Sequence, residues 1–283
     1  MEFIAQYEAE VRLTVFLVVL SAMISAEAAW PRRARVQERG SRWPVNFAFM
    51  IIASIVLRLA APVLSVAAAV LAEERGWGLL NAVDLPVWAE VAIALVILDL
   101  ALYGQHRAMH AVPVLWRIHK VHHTDLDLDA TSGVRFHPVE YVLSALYKVI
   151  IVLFLGPMAA AVILFEIALN GFAVFNHANL HLPRWIDAPL RLFFVTPEMH
   201  VVHHSVTGDE TNRNFGFCLT VWDRLFASYQ GQPALGHRAI KIGVAGWRDP
   251  ATVTFRSLMV TPFTKLRPGE TYRPGETPTA KAS

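Results

Sequence analysis

The chain has a single cysteine, Cys218, among 283 residues. No disulfide can form within it, and neither a Cys-His zinc finger nor a cysteine-held iron–sulfur cluster can be built. Cys218 lies in the apolar stretch from Phe215 to Leu219 and reads as a small packing residue. Charge is also scarce. Charged residues make up 17% and the formal net charge is +2, too small to point to nucleic acid. No Gly-x-Gly-x-x-Gly dinucleotide fingerprint occurs. What is present is apolar: 55% of residues are hydrophobic and mean hydropathy is positive. These values point to one membrane-embedded unit.

Four regions are apolar enough to enter a bilayer, where a spanning helix needs about 20 such residues. They cover about 11–30, 45–72, 87–104 and 141–175. The first lacks the basic start and small-residue cleavage pattern of a signal peptide, so it is expected to remain as a helix. The last is interrupted at Gly156-Pro157 and is too long for one span, so it predicts a helical hairpin. Between the first two regions stand Arg32, Arg33, Arg35, Arg39 and Arg42, a cluster that favours the cytoplasmic side. Counting spans from that point puts the N-terminus outside and brings the ends at 105 and 176 to the cytoplasmic face. The expectation is an all-α integral membrane bundle over 1–266, with a histidine-rich catalytic cap from 105–140 and 176–266. Residues 267–283, with RPGET twice, predict a disordered tail.

Ten of the twelve histidines fall into four clusters that form two matching pairs. His106 and His110 precede His119, His122 and His123. His177 and His181 precede His200, His203 and His204. Each pair reads HxxxH, then HxxHH. Imidazole is the commonest protein metal ligand, and positions i, i+3 and i+4 share a helical face. Ten imidazoles exceed the three or four ligands one ion usually takes, so the pattern predicts a two-metal site. All four clusters fall on one side of the membrane by the span count, which the charge argument did not require. Nitrogen-only sites suit iron, zinc or copper.

Several other polar residues accompany these. Asp99, Tyr103, His106 and His110 are spaced 4, 3 and 4 apart, so Asp99 lies on the ligand face and could orient an imidazole. Asn176, Asn179 and Glu198 adjoin ligand candidates and could serve similarly. His137 stands alone in Arg135-Phe-His-Pro-Val-Glu140 and is a weaker candidate for that role. His237 has no histidine neighbour and reads as surface. Lys148 and Glu166 lie within the hairpin, where opposite charges are expected to pair.

From about Asp99 to Tyr229 these motifs resemble the fatty acid hydroxylase superfamily, also called the sterol desaturase family. The matching residues include HRAMH at 106–110, Trp116 with the HKVHH box, RFHPVE at 135–140, and Asn176-His-Ala-Asn179. HVVHH at 200–204, Asn214-Phe-Gly216 and Trp222-Asp-Arg-Leu-Phe226 complete the set. Trp116 and the last motif are most similar to the alkylglycerol monooxygenase-like and bacterial sterol-desaturase-like branch. The family usually continues that motif as Gly-Thr-Tyr; here it is Ala227-Ser228-Tyr229. The resemblance implies a non-haem di-iron enzyme of a bacterial inner membrane that uses O2 on a lipid C–H bond, by hydroxylation or desaturation. The lipid could be a sterol, fatty acyl chain or ether lipid. It also implies that all ten clustered histidines hold the two irons, with zinc able to replace iron in overexpressed protein.

Reducing O2 while forming one alcohol or alkene requires two further electrons. With no dinucleotide motif or cysteine cluster, the chain is expected to take them from a ferredoxin, or from a cytochrome with its reductase. Lys120, Arg184, Arg191 and Arg213 are candidate docking residues. Two other function classes remain open: a membrane metal-ion transporter or sensor, and a multi-haem cytochrome. Transporter sites usually lie near the bilayer midplane, and haem uses facing histidine pairs rather than HxxHH triplets.

Overall fold

A computed structural model describes residues 7–60, 65–266 and Glu270. Among them there are helices, turns and isolated bridges but no strand. The principal helices are α1 (Glu8–Ala29), α2 (Arg39–Ala60), α3 (Ser65–Arg75), α4 (Val87–Ala111), α5 (Pro113–His123), α6 (Pro138–Leu155) and α7 (Ala159–His177). Shorter cap helices follow: α8 (Arg184–Leu190), α9 (Pro197–His203), α10 (Gly208–Thr211) and α11 (Val221–Leu225). Among the described residues, five stretches are long and apolar enough to cross a membrane: Glu8–Ala29, Arg39–Ala82, Val87–Ala111, Pro138–Leu155 and Ala159–His177. The second of these contains α2 and α3, on either side of residues outside the described set. Outward-facing Val18, Leu59, Ile150 and Phe154 are all more than 60% exposed. A soluble surface would not carry so many large exposed side chains on its long helices; lipid would cover them.

The hairpin forms where the sequence breaks. Pro138 opens α6 at a position that needs no backbone donor, and the His137 ring accepts from Val139 N at 3.2 Å. Gly156 closes α6 at φ 65°, and a Cβ there would strike the Trp77 carbonyl. α2 and α3 pack along α6, while α7 packs against α1 and the 3-10 turn Ala130–Val134. One apolar core joins α3, α4, α6 and α7 through Ala68, Leu98, Val152 and Phe165. Within the bundle, Glu166 of α7 takes Lys148 of α6 at 2.7 Å and Arg12 of α1 at 2.8 Å. The expected pairing of Lys148 and Glu166 is therefore present.

Two features stand out at the membrane edge. α4 extends to Ala111 rather than ending near 104, so His106 and His110 sit on the last turns of the spanning helix itself. The arginine cluster is mostly occupied inside the protein. Arg39 pairs with buried Glu27 at 2.6 Å, and Arg32 with Glu198 at 2.7 Å. Arg42 makes two 2.7 Å contacts to Asp125, a third to Asp129, and donates to the Asp127 carbonyl. Burial alone would raise the Asp125 pKa, yet the charges of Arg42 and Arg135 hold it below the ordinary carboxylate range. The cluster clamps the start of α2 onto the loop that follows α5.

One residue of the expected tail is described. Glu270 is buried: its carboxylate pairs with Lys120 of α5 at 2.8 Å and accepts from Trp247 Nε1. Its carbonyl accepts from Trp116 Nε1 at 2.6 Å. Residues 267–269 and 271–283 lie outside the described residues.

Candidate metal centre

α4, α5, α7 and α9 converge at one end of the bundle, and nine histidines meet there in two buried groups. His106, His110, His119, His123 and His203 form one; His122, His177, His200 and His204 form the other. Within each group the ligand atoms all lie within 4.8 Å of one another. The groups abut, with the His123 and His204 rings stacked at 4.4 Å.

The partition follows from helical geometry. In α5, His119 and His123 are one turn apart and face the first group, while His122 between them turns to the second. In α9 and its cap the pattern is mirrored: His200 and His204 face the second group and His203 crosses to the first. Each HxxHH box therefore serves both groups.

Protons show where the nitrogen lone pairs point. A carbonyl oxygen can only accept, so a ring nitrogen facing one carries the hydrogen. By that rule Nδ1 donates in His106 to Phe215 O (2.8 Å), in His122 to Arg135 O (3.2 Å) and in His177 to Ala173 O (2.6 Å). His203 Nδ1 donates likewise to Arg213 O at 2.8 Å. His119 Nδ1 donates to the Glu140 carboxylate at 2.7 Å. Each ring then presents an Nε2 lone pair inward. His106 Nε2 lies 3.2 Å from His119 Nε2, and His177 Nε2 lies 3.0 Å from His122 Nε2. In each contact two lone pairs face each other with no hydrogen to share. Such an approach is repulsive unless a cation lies between them. Two nitrogens about 2.1 Å from one ion, near right angles, are about 3 Å apart. Nε2 of His110 and of His203 are buried, with no hydrogen-bond partner among the described residues. The donor set thus fits two ions, one per group. Burial pushes the pKa of His122, His123, His200 and His204 well below 6.5, and that of His203 down to about 3, with neighbouring histidines adding to the effect. These five rings are therefore neutral at pH 7, the state that binds metal.

His181 does not join them. α7 ends at His177, and Asn179 is pinned by its side chain to the backbone N–H and carbonyl of Arg33 at 3.0 and 2.9 Å. The chain therefore leaves the helix before a fourth-residue partner can turn inward. His181 is half-exposed, with Nδ1 3.3 Å from Arg32 and 3.7 Å from Glu198. His237, expected on the surface, is buried, with Nε2 2.9 Å from Glu198 Oε2.

The expected orienting residues hold the scaffold instead of touching the nine rings. Asp99 accepts from Cys218 N, Leu219 N and Trp222 Nε1 at 3.2, 3.1 and 2.9 Å. It thereby fixes the loop whose Phe215 carbonyl holds His106. Asn176 donates to Phe217 O at 2.7 Å in the same loop. Glu198 binds Arg32 and His237, and His137 caps α6 and contacts Met259 O at 3.1 Å. Sequence reasoning missed Glu140, the carboxylate that does meet a clustered imidazole. The available signal was an acid in the first turn of an apolar helix, three residues after the solitary His137. Of the proposed docking residues, Lys120 is buried against Glu270 and Arg191 pairs with Asp187, while Arg184 and Arg213 are exposed.

The remaining motifs support the same loop. Asp223 accepts from Phe215 N and Gly216 N at 2.8 and 2.9 Å, and from Ser228 Oγ at 2.7 Å. A Cβ on Gly216 would lie 2.8 Å from Leu219 O and 2.9 Å from Asp223 Oδ2, so only glycine fits. Asn214 adopts φ 53° and donates to Met199 O, beside His200. Ala227 adopts φ 56°, a conformation costing a residue with a Cβ roughly 1–2 kcal/mol. Ala227→Gly should therefore raise stability by a fraction of that amount, because glycine's extra freedom in the unfolded chain offsets part of it. Thermal unfolding in detergent checks this; a lowered midpoint would show that Ala227 is not strained.

Residues 91–228 match the Fatty acid hydroxylase family model. Ornithine lipid hydroxylase OlsE of Rhizobium tropici is 32% identical over 165 residues, covering 57% of this chain and 47% of that protein. Alkylglycerol monooxygenase of Homo sapiens is 27% identical over 141 residues, 47% of this chain and 29% of the relative. Delta(7)-sterol 5(6)-desaturase erg3B of Aspergillus fumigatus is 28% identical over 167 residues, 56% and 47% respectively. These relatives fall in the branch that Trp116 and the Trp222–Phe226 motif resemble. The alignments span less than half the length of each of these three relatives. No solved structure matches the chain.

Proposed function

We propose that this chain, whose residues 91–228 form a fatty acid hydroxylase domain, is an O2-dependent di-iron enzyme that hydroxylates or desaturates a membrane lipid. The observation that carries this reading is the pair of buried nitrogen groups in which Nε2 lone pairs face each other at 3.0–3.2 Å. Iron at both groups would supply the oxidising power toward a C–H bond. The protein's own part is to hold neutral imidazoles with their protons outward, on carbonyls and Glu140, and to keep the surrounding space apolar. A lipid is the proposed substrate because the centre lies where apolar helices end. The lipids named for the relatives, an ornithine lipid, an alkylglycerol and a sterol, set its range. His181 remains a proposed ligand only if the turn after α7 rearranges.

Metal analysis of purified protein is expected to approach two ions per chain, and a host expressing the gene should accumulate an oxidised lipid. A stoichiometry of one, with no change in the host's lipids, would reject the reading. Electrons are proposed to come from a separate redox protein. Sustained turnover by pure enzyme with O2 and NAD(P)H alone would contradict that. The cap is proposed to face the cytoplasm of a bacterial inner membrane. A C-terminal reporter active only outside the cytoplasm would reverse the topology.

A further inference from the structure

A cavity of about 490 Å³ opens beside the first nitrogen group. His110 and Phe215 line it, so one wall belongs to the metal centre itself. Arg107, Arg213 and Asp209 line it too, and all three are exposed. None of the three charges is paired with another in the ion pairs of the described residues, although Arg213 donates to the Ala227 carbonyl at 2.9 Å. The positions of the arginines are fixed by the ligands. Arg107 lies between His106 and His110 on α4, and the Arg213 carbonyl accepts from His203 Nδ1 at 2.8 Å. Both arginines thus line the same cavity as His110 of the first nitrogen group. The rim is apolar: Phe226 lines the cavity, and its neighbour Leu225 is 67% exposed. Val112 and Val114, which follow the lining residue Ala111, are 40% and 62% exposed. α4 leaves the apolar span at this level, where lipid headgroups begin.

We infer that this cavity is the substrate mouth of the metal centre and takes a lipid with a zwitterionic head. Arg107 and Arg213 bind its oxyanion, and Asp209 its ammonium group. The guanidinium fork suits a carboxylate or phosphate oxygen, and at a partly desolvated mouth such contacts exceed those of open surface pairs. A neutral head would offer none of these three lining charges an opposite charge. The inference rests on the proposed lipid oxidation, whose substrate it narrows.

The test uses metal-loaded full-length protein in a neutral maltoside detergent. Binding of three probes of equal chain length is measured calorimetrically: Nα-dodecanoyl-lysine, dodecanoate and dodecanol. Nα-dodecanoyl-lysine should bind about tenfold tighter than dodecanol, with dodecanoate between them. Arg107→Ala combined with Arg213→Ala should erase the advantage of both acids. Asp209→Asn should remove only the margin of the lysine probe over dodecanoate. Arg107→Lys should retain part of the advantage, and Arg184→Ala, outside the cavity, all of it. Metal content and thermal unfolding identify any variant that has lost its fold, in which case Arg107→Glu alone, expected to reverse the preference, decides. Equal binding of all three probes to the unaltered protein would overturn the inference, as would a preference unchanged in the double arginine variant. Both results leave lipid oxidation standing if the host's lipids are oxidised. Selective probe binding with no oxidised lipid would instead refute the function and keep the mouth.

Discussion

His203→Ala is expected to abolish lipid oxidation, by more than the roughly 10–100-fold typically lost with an outer-layer partner of a metal. His203 is buried, its Nδ1 proton is fixed on Arg213 O at 2.8 Å, and its Nε2 faces the first nitrogen group without a hydrogen-bond partner among the described residues. Alanine removes one of the five imidazoles of that group. Metal content should fall, while helix content by circular dichroism stays unchanged, because the apolar core among α3, α4, α6 and α7 lies elsewhere. His122→Ala should behave in the same way through the second group. Full activity and full metal content in the His203 variant would contradict the assignment of this side chain.

The largest loss of stability is expected at Arg42, which touches none of the clustered histidines in the described hydrogen bonds but holds the loop behind one of their boxes. Its guanidinium grips Asp125 with two contacts of 2.7 Å and Asp129 with a third. All three residues are buried. Arg42→Ala leaves two buried carboxylates short of their cation, a change that costs about 3–5 kcal/mol in comparable buried pairs. Arg42→Lys should rescue little, because an ammonium cannot reproduce the fork. Asp125 begins the loop directly after the HKVHH box, so α5 should loosen and metal be retained poorly. Thermal unfolding and metal retention in detergent check both parts. A midpoint within a degree of the unaltered protein would show that the clamp contributes no net stability.

The histidine boxes were legible because their spacing is that of a helical face, and nine of the ten side chains meet as the spacing implies. The hairpin was legible from Gly156-Pro157. What sequence could not convey are contacts between distant segments. His181 has the right spacing, but α7 ends at His177 because Asn179 is bound to Arg33, far away in the chain. His237 looks solitary, yet Glu198 lies beside it. Asp99 was correctly singled out as a costly carboxylate within an apolar run; its use, pinning the Cys218–Trp222 segment, depends on a fold that brings α4 and α11 together. Lys120 reads as a docking residue in the sequence, but Glu270, 150 residues away, covers it.

The exchange of His122 and His203 between the two nitrogen groups makes the groups interdependent. An ion taken up by one group draws in a side chain whose box also carries ligands of the other. If two ions bind as proposed, the first would prepare the second position, and removing one would release both. Metal titration should show cooperative uptake with few singly loaded molecules, readable by native mass spectrometry. Independent filling of the two positions would show that α5 and α9 are rigid before any ion arrives. The same exchange constrains sequence drift: neither box can lose its middle histidine, or shift by one residue along its helix, without disabling the group that its partner box mainly serves.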